Sequence, residues 1–163
     1  RANAESAQLA PNQSDVVLCS SGICTEEALR AVSVLRARGV TIDHLHVSTL
    51  DPFDDPTVDE ALSRARRAVV THENHVITGG LGSAVAERMS ELGIATRLHR
   101  VGIRDTFLHG ASRDHLMREY GLDALALVRT VERALGATLD IGESDLAAVR
   151  FEPVHSDAKA EAL

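Results

Sequence analysis

Tryptophan is absent from this sequence, tyrosine occurs once (Tyr120) and phenylalanine three times (Phe53, Phe107, Phe151), so aromatics make up only 2% of the chain. Aliphatic side chains and alanine must then supply the packing, a composition suited to helices laid on a sheet. Cysteine is nearly as scarce. Cys19 and Cys24 flank "SSGI", a spacing that is neither CxxC nor a zinc pattern, and two cysteines cannot build a disulfide framework. Both read as buried or incidental free thiols. Lysine occurs only at Lys159, and the arginines stand singly or in pairs apart from the "RARR" of Arg64 to Arg67, in a chain of formal net charge −7. That balance argues against a general nucleic-acid binder. No run approaches the ~20 apolar residues of a membrane span, and the opening "RANAESAQLAPNQSD" lacks the apolar core of a signal peptide. A soluble, cytoplasmic protein is expected.

What is present suffices for one domain: 163 residues, 44% hydrophobic against 25% charged, enough to bury a core of ordinary size. Residues 1–14 are polar and alanine-rich and read as a linker, with further chain expected before them. "DVVLCSS" (Asp15 to Ser21) reads as a buried strand, and Gly22 turns it into a helix for which Thr25 is the expected cap. Ala28, Val32 and Leu35 recur at helical spacing until Gly39. "VTIDHLHV" is a second strand by its β-branched content. In "DDPTVDEALSRA", Asp55 can cap a helix and Pro56 fits its first position, where a missing N–H does no harm; "RARR" reads as a solvated helix face. "RAVVTHE" is a third strand. Leu81, Val85, Met89 and Leu92 then share one face of a helix that Gly93 ends.

"TRLHRVG" is a fourth strand, followed by a loop, "IRDTFLHGAS", a short helix, "RDHLMREYG", and a strong helix, "LDALALVRTVERALG", stopped by Gly136. Residues 137–163 hold at most a turn or two more of helix and a mobile polar tail. Alternation of strand and helix is the signature of a mostly parallel sheet covered on both faces, an α/β fold. Ligands of such sheets bind beyond the carboxyl ends of the strands, so function is sought in the loops after Cys19, Val47, Thr71 and Val101.

One of those loops lies in "VVTHENHVITGGLGSAVAERM" (Val69 to Met89), which has the strand, glycine loop and helix of a phosphate-binding turn. The match then fails: Val85 stands at the third glycine position of GxGxxG, and no Lys-Ser/Thr pair follows. Gly79, Gly80 and Gly82 have no Cβ, so the backbone there suits close approach to another segment. The helix start still attracts anions, which leaves an anion-binding regulatory module as a rival reading. His44 and His46 share a strand face and His72 and His75 end another, but nothing in the spacing forces the three or four ligands zinc needs. A Glu73–His75 acid–base pair, both pointing one way from a strand end, lacks a nucleophile or substrate. Asp51 and Asp105 are turn residues first.

The order of motifs carries more than any one of them. "LDPFD", "HENHVITGGLGSAVAE", "GIRDTF" and "YGLDA", in that order over about Asp15 to Gly136, closely resemble the C-terminal domain of the transketolase family. The resemblance implies a three-layer α/β/α sandwich with a mixed, mostly parallel sheet of about five strands, one antiparallel, which "SAQLA" near Ser6 would supply. It implies a domain at residues 15–136, followed by an extension and tail at 137–163. In that family thiamine diphosphate sits between two other domains across a dimer interface, and the C-terminal domain supports the assembly without binding it. This chain is thus expected to hold no catalytic, cofactor-binding or metal-binding residue. Thiamine diphosphate and a divalent metal such as magnesium belong to the complete enzyme, which passes a two-carbon ketol unit from a ketose to an aldehyde. The expected partners are the thiamine-binding catalytic domains or subunit, in a homo- or hetero-oligomer, with Glu73, His75, Gly79, Gly80, Gly82 and Asp105 as interface candidates.

Two positions depart from the family pattern: Asp51 stands where a lysine is common before the proline, and His72 replaces one of two glutamates in the "HENH" block. Within the family, "ENHVITGGLGSAVAE" with "YGLDA" is most similar to transketolases encoded as two polypeptides. The beta subunits of 2-oxo acid dehydrogenases, which recruit a lipoyl-bearing acyltransferase, and the deoxyxylulose-phosphate synthases share the glycine block and are the alternatives. A metalloenzyme built on the histidines is the rival from another class.

Overall fold

A computed structural model describes residues 13–149. Ten elements follow one another as β1 (Ser14–Ser20), α1 (Cys24–Ala37), β2 (Ile42–His46), α2 (Pro56–Arg64), β3 (Ala65–Val76), α3 (Leu81–Glu91), β4 (Leu98–Ile103), α4 (Arg113–Glu119), α5 (Ala124–Leu135) and α6 (Glu143–Ala148). Among the described residues there is one four-stranded sheet, ordered β2-β1-β3-β4, with every pair parallel. The antiparallel strand expected near Ser6 lies outside the described residues, as do residues 1–12 of the expected linker and the tail from residue 150; Ser14, expected to end the linker, instead begins β1 and pairs with Ala65.

Strand order decides which face each helix covers. From β1 the chain moves to one side to reach β2, then back across β1 to β3 and outward to β4. Right-handed crossovers in opposite directions put their helices on opposite faces. The two cores agree with this. One is built from Val16, Leu18, Ala68 and Val70 of the sheet with Ala28, Val32 and Leu35 of α1 and Leu127, Val128 and Val131 of α5. The other has Val17, Cys19 and Val69 of the sheet with Val58 and Leu62 of α2 and Leu81, Val85 and Met89 of α3. Adjacent residues of β1 thus enter opposite cores, the period-2 alternation of a strand covered on both sides. Ile141 and Leu146 join the first core, so the start of the C-terminal extension packs onto α1 and α5.

Most boundaries follow the sequence signals. Asp55 accepts a hydrogen bond from Thr57 N at the start of α2, with Pro56 at its first position, and Gly136 ends α5 in the left-handed region at φ 60°. Three local expectations are corrected. Thr25 does not cap α1, whose N-cap is Ile23; its hydroxyl is drawn instead to Ser20 and His46. "RARR" is not a helix face but the α2–β3 junction: Arg64 pairs with Asp43 and Glu60, and Arg67 donates to Leu135 O. Leu92 does not share the buried face of α3 but caps its end, 39% exposed.

Candidate functional site

Because all four strands are parallel, the loops after β1, β2, β3 and β4 open on one edge of the sheet. The turn between β1 and β3, where the strand order reverses, is the usual ligand crevice of such sheets. Here the protein's own side chains fill it. Gly22, at φ +57°, lies so close to Asn74 that a Cβ would stand 2.5 Å from Asn74 Oδ1. His72 and Ser20 are paired across the two strands and both are wholly buried.

Beside this crevice is the glycine corner. Glu73 points to the α3 side of the sheet and is 1% exposed; its Oε2 accepts from Leu81 N at 2.7 Å and its Oε1 from Gly82 N at 2.8 Å. A strand carboxylate therefore caps a helix whose N-cap residue, Gly80, has no side chain to do so. The charge is favourable there, because helix amino termini carry unsatisfied N–H groups and a positive dipole end. The glycines make room for it: a Cβ on Gly80 would lie 2.1 Å from Glu73 Oε2, and one on Gly82 would lie 2.6 Å from Arg100 Cδ and 3.1 Å from Glu73 Oε1. Gly79 N donates to Ser83 Oγ, which donates in turn to Ile77 O, closing the loop on itself. An internal carboxylate thus occupies the N–H groups of Leu81 and Gly82 that an external phosphate would need, and the anion-binding reading loses its physical basis.

On the opposite face, the same edge carries a polar network under α1. Ser20 Oγ shares a 2.8 Å hydrogen bond with His44 Nε2 and one of 3.0 Å with Thr25 Oγ1, which meets His46 Nδ1 at 2.8 Å. His72 Nε2–H donates to Leu122 O at 2.8 Å, while its buried Nδ1 has no partner. Burial, partly offset by that hydrogen bond and assisted by nearby His44, brings the His72 pKa down from 6.5 to about 4. His44 also falls to about 4, through burial first and then Arg36 and His46. Both imidazoles are held neutral, and the Nε2 atom of each is engaged by the protein itself, His44 with Ser20 Oγ and His72 with Leu122 O.

The expected site residues divide into two groups. Glu73, Gly80 and Gly82 are buried together in the corner, whereas His75, Gly79 and Asp105 are exposed around it. Glu73 and His75 do not form a pair. The pairing of β3 with β4 shifts register between His72 and Val76, and the His75 ring turns out to donate from Nδ1 to its neighbour's carbonyl, Val76 O. Cys19 and Cys24 lie in different cores, and burial pushes both thiols up to about 12, with Glu27 and Glu73 adding to the effect at Cys24. Neither supplies a thiolate for redox or nucleophilic chemistry.

Composition and motif spacing did not single out what the edge exposes. Ile23 after β1, Leu50 after β2, Val76 at the end of β3, and Phe107 and Leu108 after β4 are all exposed, Phe107 fully so. Large apolar side chains are thus exposed at or just after the end of every one of the four strands, and apolar groups left in water at one edge suit association. The available signal was their position: each stands at or just after the end of a strand that the alternation pattern had located.

A family model for the C-terminal domain of transketolase matches residues 5–127. The chain is 34% identical, over 72% of its length, to a Methanocaldococcus jannaschii protein provisionally named a transketolase C-terminal section, of which it covers 36%. It is 40% identical over 71% of its length to the 6-deoxy-6-sulfo-D-fructose transketolase subunit SqwH of Clostridium sp. (strain MSTE9), covering 35% of that protein. With the 1-deoxy-D-xylulose-5-phosphate synthase of Syntrophotalea carbinolica it shares 35% identity over 72% of its length and covers 18% of the synthase. Among solved structures, one described as a split gene transketolase, inactive beta4 tetramer, matches with a TM-score of 0.66 and 36% identity over 76% of this chain and 39% of that one. The chain therefore spans well under half the length of each of these relatives.

Proposed function

This chain belongs to the transketolase C-terminal domain family, and from that premise we propose that it is the assembly domain of a thiamine-diphosphate-dependent, transketolase-like transferase of the cytoplasm. The whole enzyme passes a two-carbon ketol unit from a ketose to an aldehyde, the cofactor supplying carbanion stabilisation once bound to other domains, with a divalent metal such as magnesium. Residues 15–136 form the domain proper, together with Ser14, which the linker expected at residues 1–14 yields to β1, and residues 137–163 form an extension. The observation that carries this reading is the set of exposed apolar side chains at the carboxyl ends of all four strands. It faces the thiamine-binding catalytic domains or subunit, in a homo- or hetero-oligomer. His75, Gly79 and Asp105 meet the partner, and Glu73, Gly80 and Gly82 hold the backbone beneath them in shape.

The chain's own residues support leaving the cofactor elsewhere. A diphosphate seeking the start of α3 would have to displace a carboxylate already bonded to Leu81 N and Gly82 N, and would be repelled by its like charge. Similarity to the Syntrophotalea carbinolica synthase favours a second reading, in which the same domain serves a deoxyxylulose-phosphate synthase. The two differ in the substrates that the catalytic domains bind, and this domain's role is the same in both.

Calorimetry and a coupled ketol-transfer assay test the proposal. Residues 1–163 alone should neither bind thiamine diphosphate nor turn over, and should restore activity when added to the catalytic domains. Tight cofactor binding by the isolated chain would refute it.

A further inference from the structure

The loop after β4 and the short helix α4 bring together three metal-ligating side chains that the assembly reading does not use. His115 and Glu119 stand one helical turn apart on α4, at i and i+4, and so share a face. His109 reaches the same face from the preceding loop. Its Nε2 lies 3.5 Å from Glu119 Oε2, and His115 Nε2 lies 3.2 Å from that same oxygen. One ligand atom from each of the three residues falls within 4.8 Å of the others.

Those spacings can be set against what zinc requires. With bonds of about 2.0–2.1 Å, tetrahedral coordination separates neighbouring ligand atoms by about 3.3 Å. Both nitrogen-to-oxygen distances already bracket that value. The remaining nitrogen-to-nitrogen distance can close by turning two rings that are more than half exposed. Tyr120 Oη lies 3.4 Å from His109 Nδ1. A proton held on Nδ1 by that hydroxyl leaves the Nε2 lone pair free toward the shared position, as outer partners of metal-bound histidines do. Nearby Arg113 does not compete for Glu119, since it pairs with Glu26 and Asp114. Two imidazoles and one carboxylate suit zinc, copper or nickel rather than magnesium or calcium.

We propose that His109, His115 and Glu119 form a surface site for a divalent first-row transition ion, Zn2+ foremost, with water completing the coordination. Because one ligand comes from the loop and two from the helix, the bound ion ties residues 104–112 to α4. Phe107 and Leu108 lie within that loop, so the ion orders part of the surface the chain presents. Binding itself does not depend on the chain's family role. The spacing His-x5-His-x3-Glu held the signal, but it becomes readable only once the last two are known to share a helix face.

The test uses untagged residues 1–163 stripped of metal and titrated with zinc chloride, and separately with cobalt(II) chloride. Expected are one zinc ion per chain, a visible ligand-field spectrum with cobalt, and slowed amide exchange across residues 104–112 on zinc addition. Glu119→Gln and His115→Gln should each weaken zinc binding by roughly tenfold or more. His75→Gln, which changes an exposed imidazole near the end of β3, should leave it unchanged. Circular dichroism of each variant checks its fold. Should wild type fail to bind zinc saturably, or should E119Q and H115Q bind it as well as wild type, the site is overturned and the three side chains form only a surface ion pair of the usual small worth. Binding without slower exchange in the loop would overturn the tie between loop and helix.

Discussion

Protonation of His72 sets a limit on the acid stability of this protein. Its Nε2–H is committed to Leu122 O, so an added proton would go to Nδ1, which is buried without an acceptor. The folded chain therefore holds this imidazole neutral down to about 4, against an ordinary 6.5. A histidine whose folded pKa is lowered contributes stability that is fully present above the unfolded value and is lost as pH falls toward the folded one. Stability should thus be level above about pH 6.5 and should fall below it, by about 2 kcal/mol at pH 5 from His72 alone, since the unfolded chain then binds the extra proton. His44 has the same direction and adds to the loss. Urea denaturation at pH 7.5 and pH 5 measures it, and His72→Gln should reduce the difference substantially. An unchanged difference in the variant would assign the acid sensitivity to other groups. None of this was legible in the sequence. "DHLH" and "HENH" identified the histidines, but whether an imidazole at a strand end meets water or a carbonyl depends on Leu122, in the turn between α4 and α5, fifty residues away in the chain.

At the level of elements, the junction from β3 to α3 joins the sequence's plainest signal to its least expected partner. Gly80 and Gly82 were legible as a place of close approach, and what approaches is Glu73 of the same chain, with Arg100 beside Gly82; at Gly79 nothing lies within 4 Å of a Cβ, and glycine there serves a φ of +79° instead. Strand alternation sends His72 to one face and Glu73 to the other, and the turn then brings α3 back over the carboxylate. Gly80 has φ −101°, which any residue can adopt, so its need for glycine is one of space alone. Gly80→Ala should cost about 2 kcal/mol, within the usual range for overpacking a filled site. The cost should shrink clearly when Glu73 is also replaced by alanine, because the two residues touch and their effects cannot add independently. Urea denaturation of the single and double variants gives the coupling, and equal costs in both backgrounds would show that Glu73 is not the obstacle. The same comparison explains which boundaries the sequence revealed. Asp55 with Pro56 and Gly136 act within their own turn and were readable. Thr25 and Arg67 find partners on other elements, and Arg64, besides the local Glu60, reaches Asp43 of β2, at distances no local pattern encodes.

Across the whole molecule, crossover handedness sets the layering, and the parallel run of the strands sets the edge proposed above as the partner surface. Parallel strands send all four following loops to one edge, and the crossovers put α1 on one face, where α5 and α6 pack beside it, and α2 and α3 on the other. The helices having satisfied the two faces, the exposed apolar side chains of the loops remain at the carboxyl edge, with Phe107 fully exposed at 101%. A residue without burial contributes nothing to the fold it sits on, so Phe107→Ser should leave the denaturation curve of the isolated chain within about 0.5 kcal/mol of the original. Aromatic anchors at interface centres commonly cost 2 kcal/mol or more on truncation, so the same substitution should weaken association with the catalytic domains by roughly thirtyfold. Leu92 supplies the control: it is comparably apolar and exposed, but ends α3 at the opposite edge, where Leu92→Ser should change neither quantity. Sedimentation velocity of the reconstituted enzyme distinguishes the two. If F107S assembles normally while L92S does not, the partner sits on the amino edge, and the functional surface is the reverse of the one the loops present.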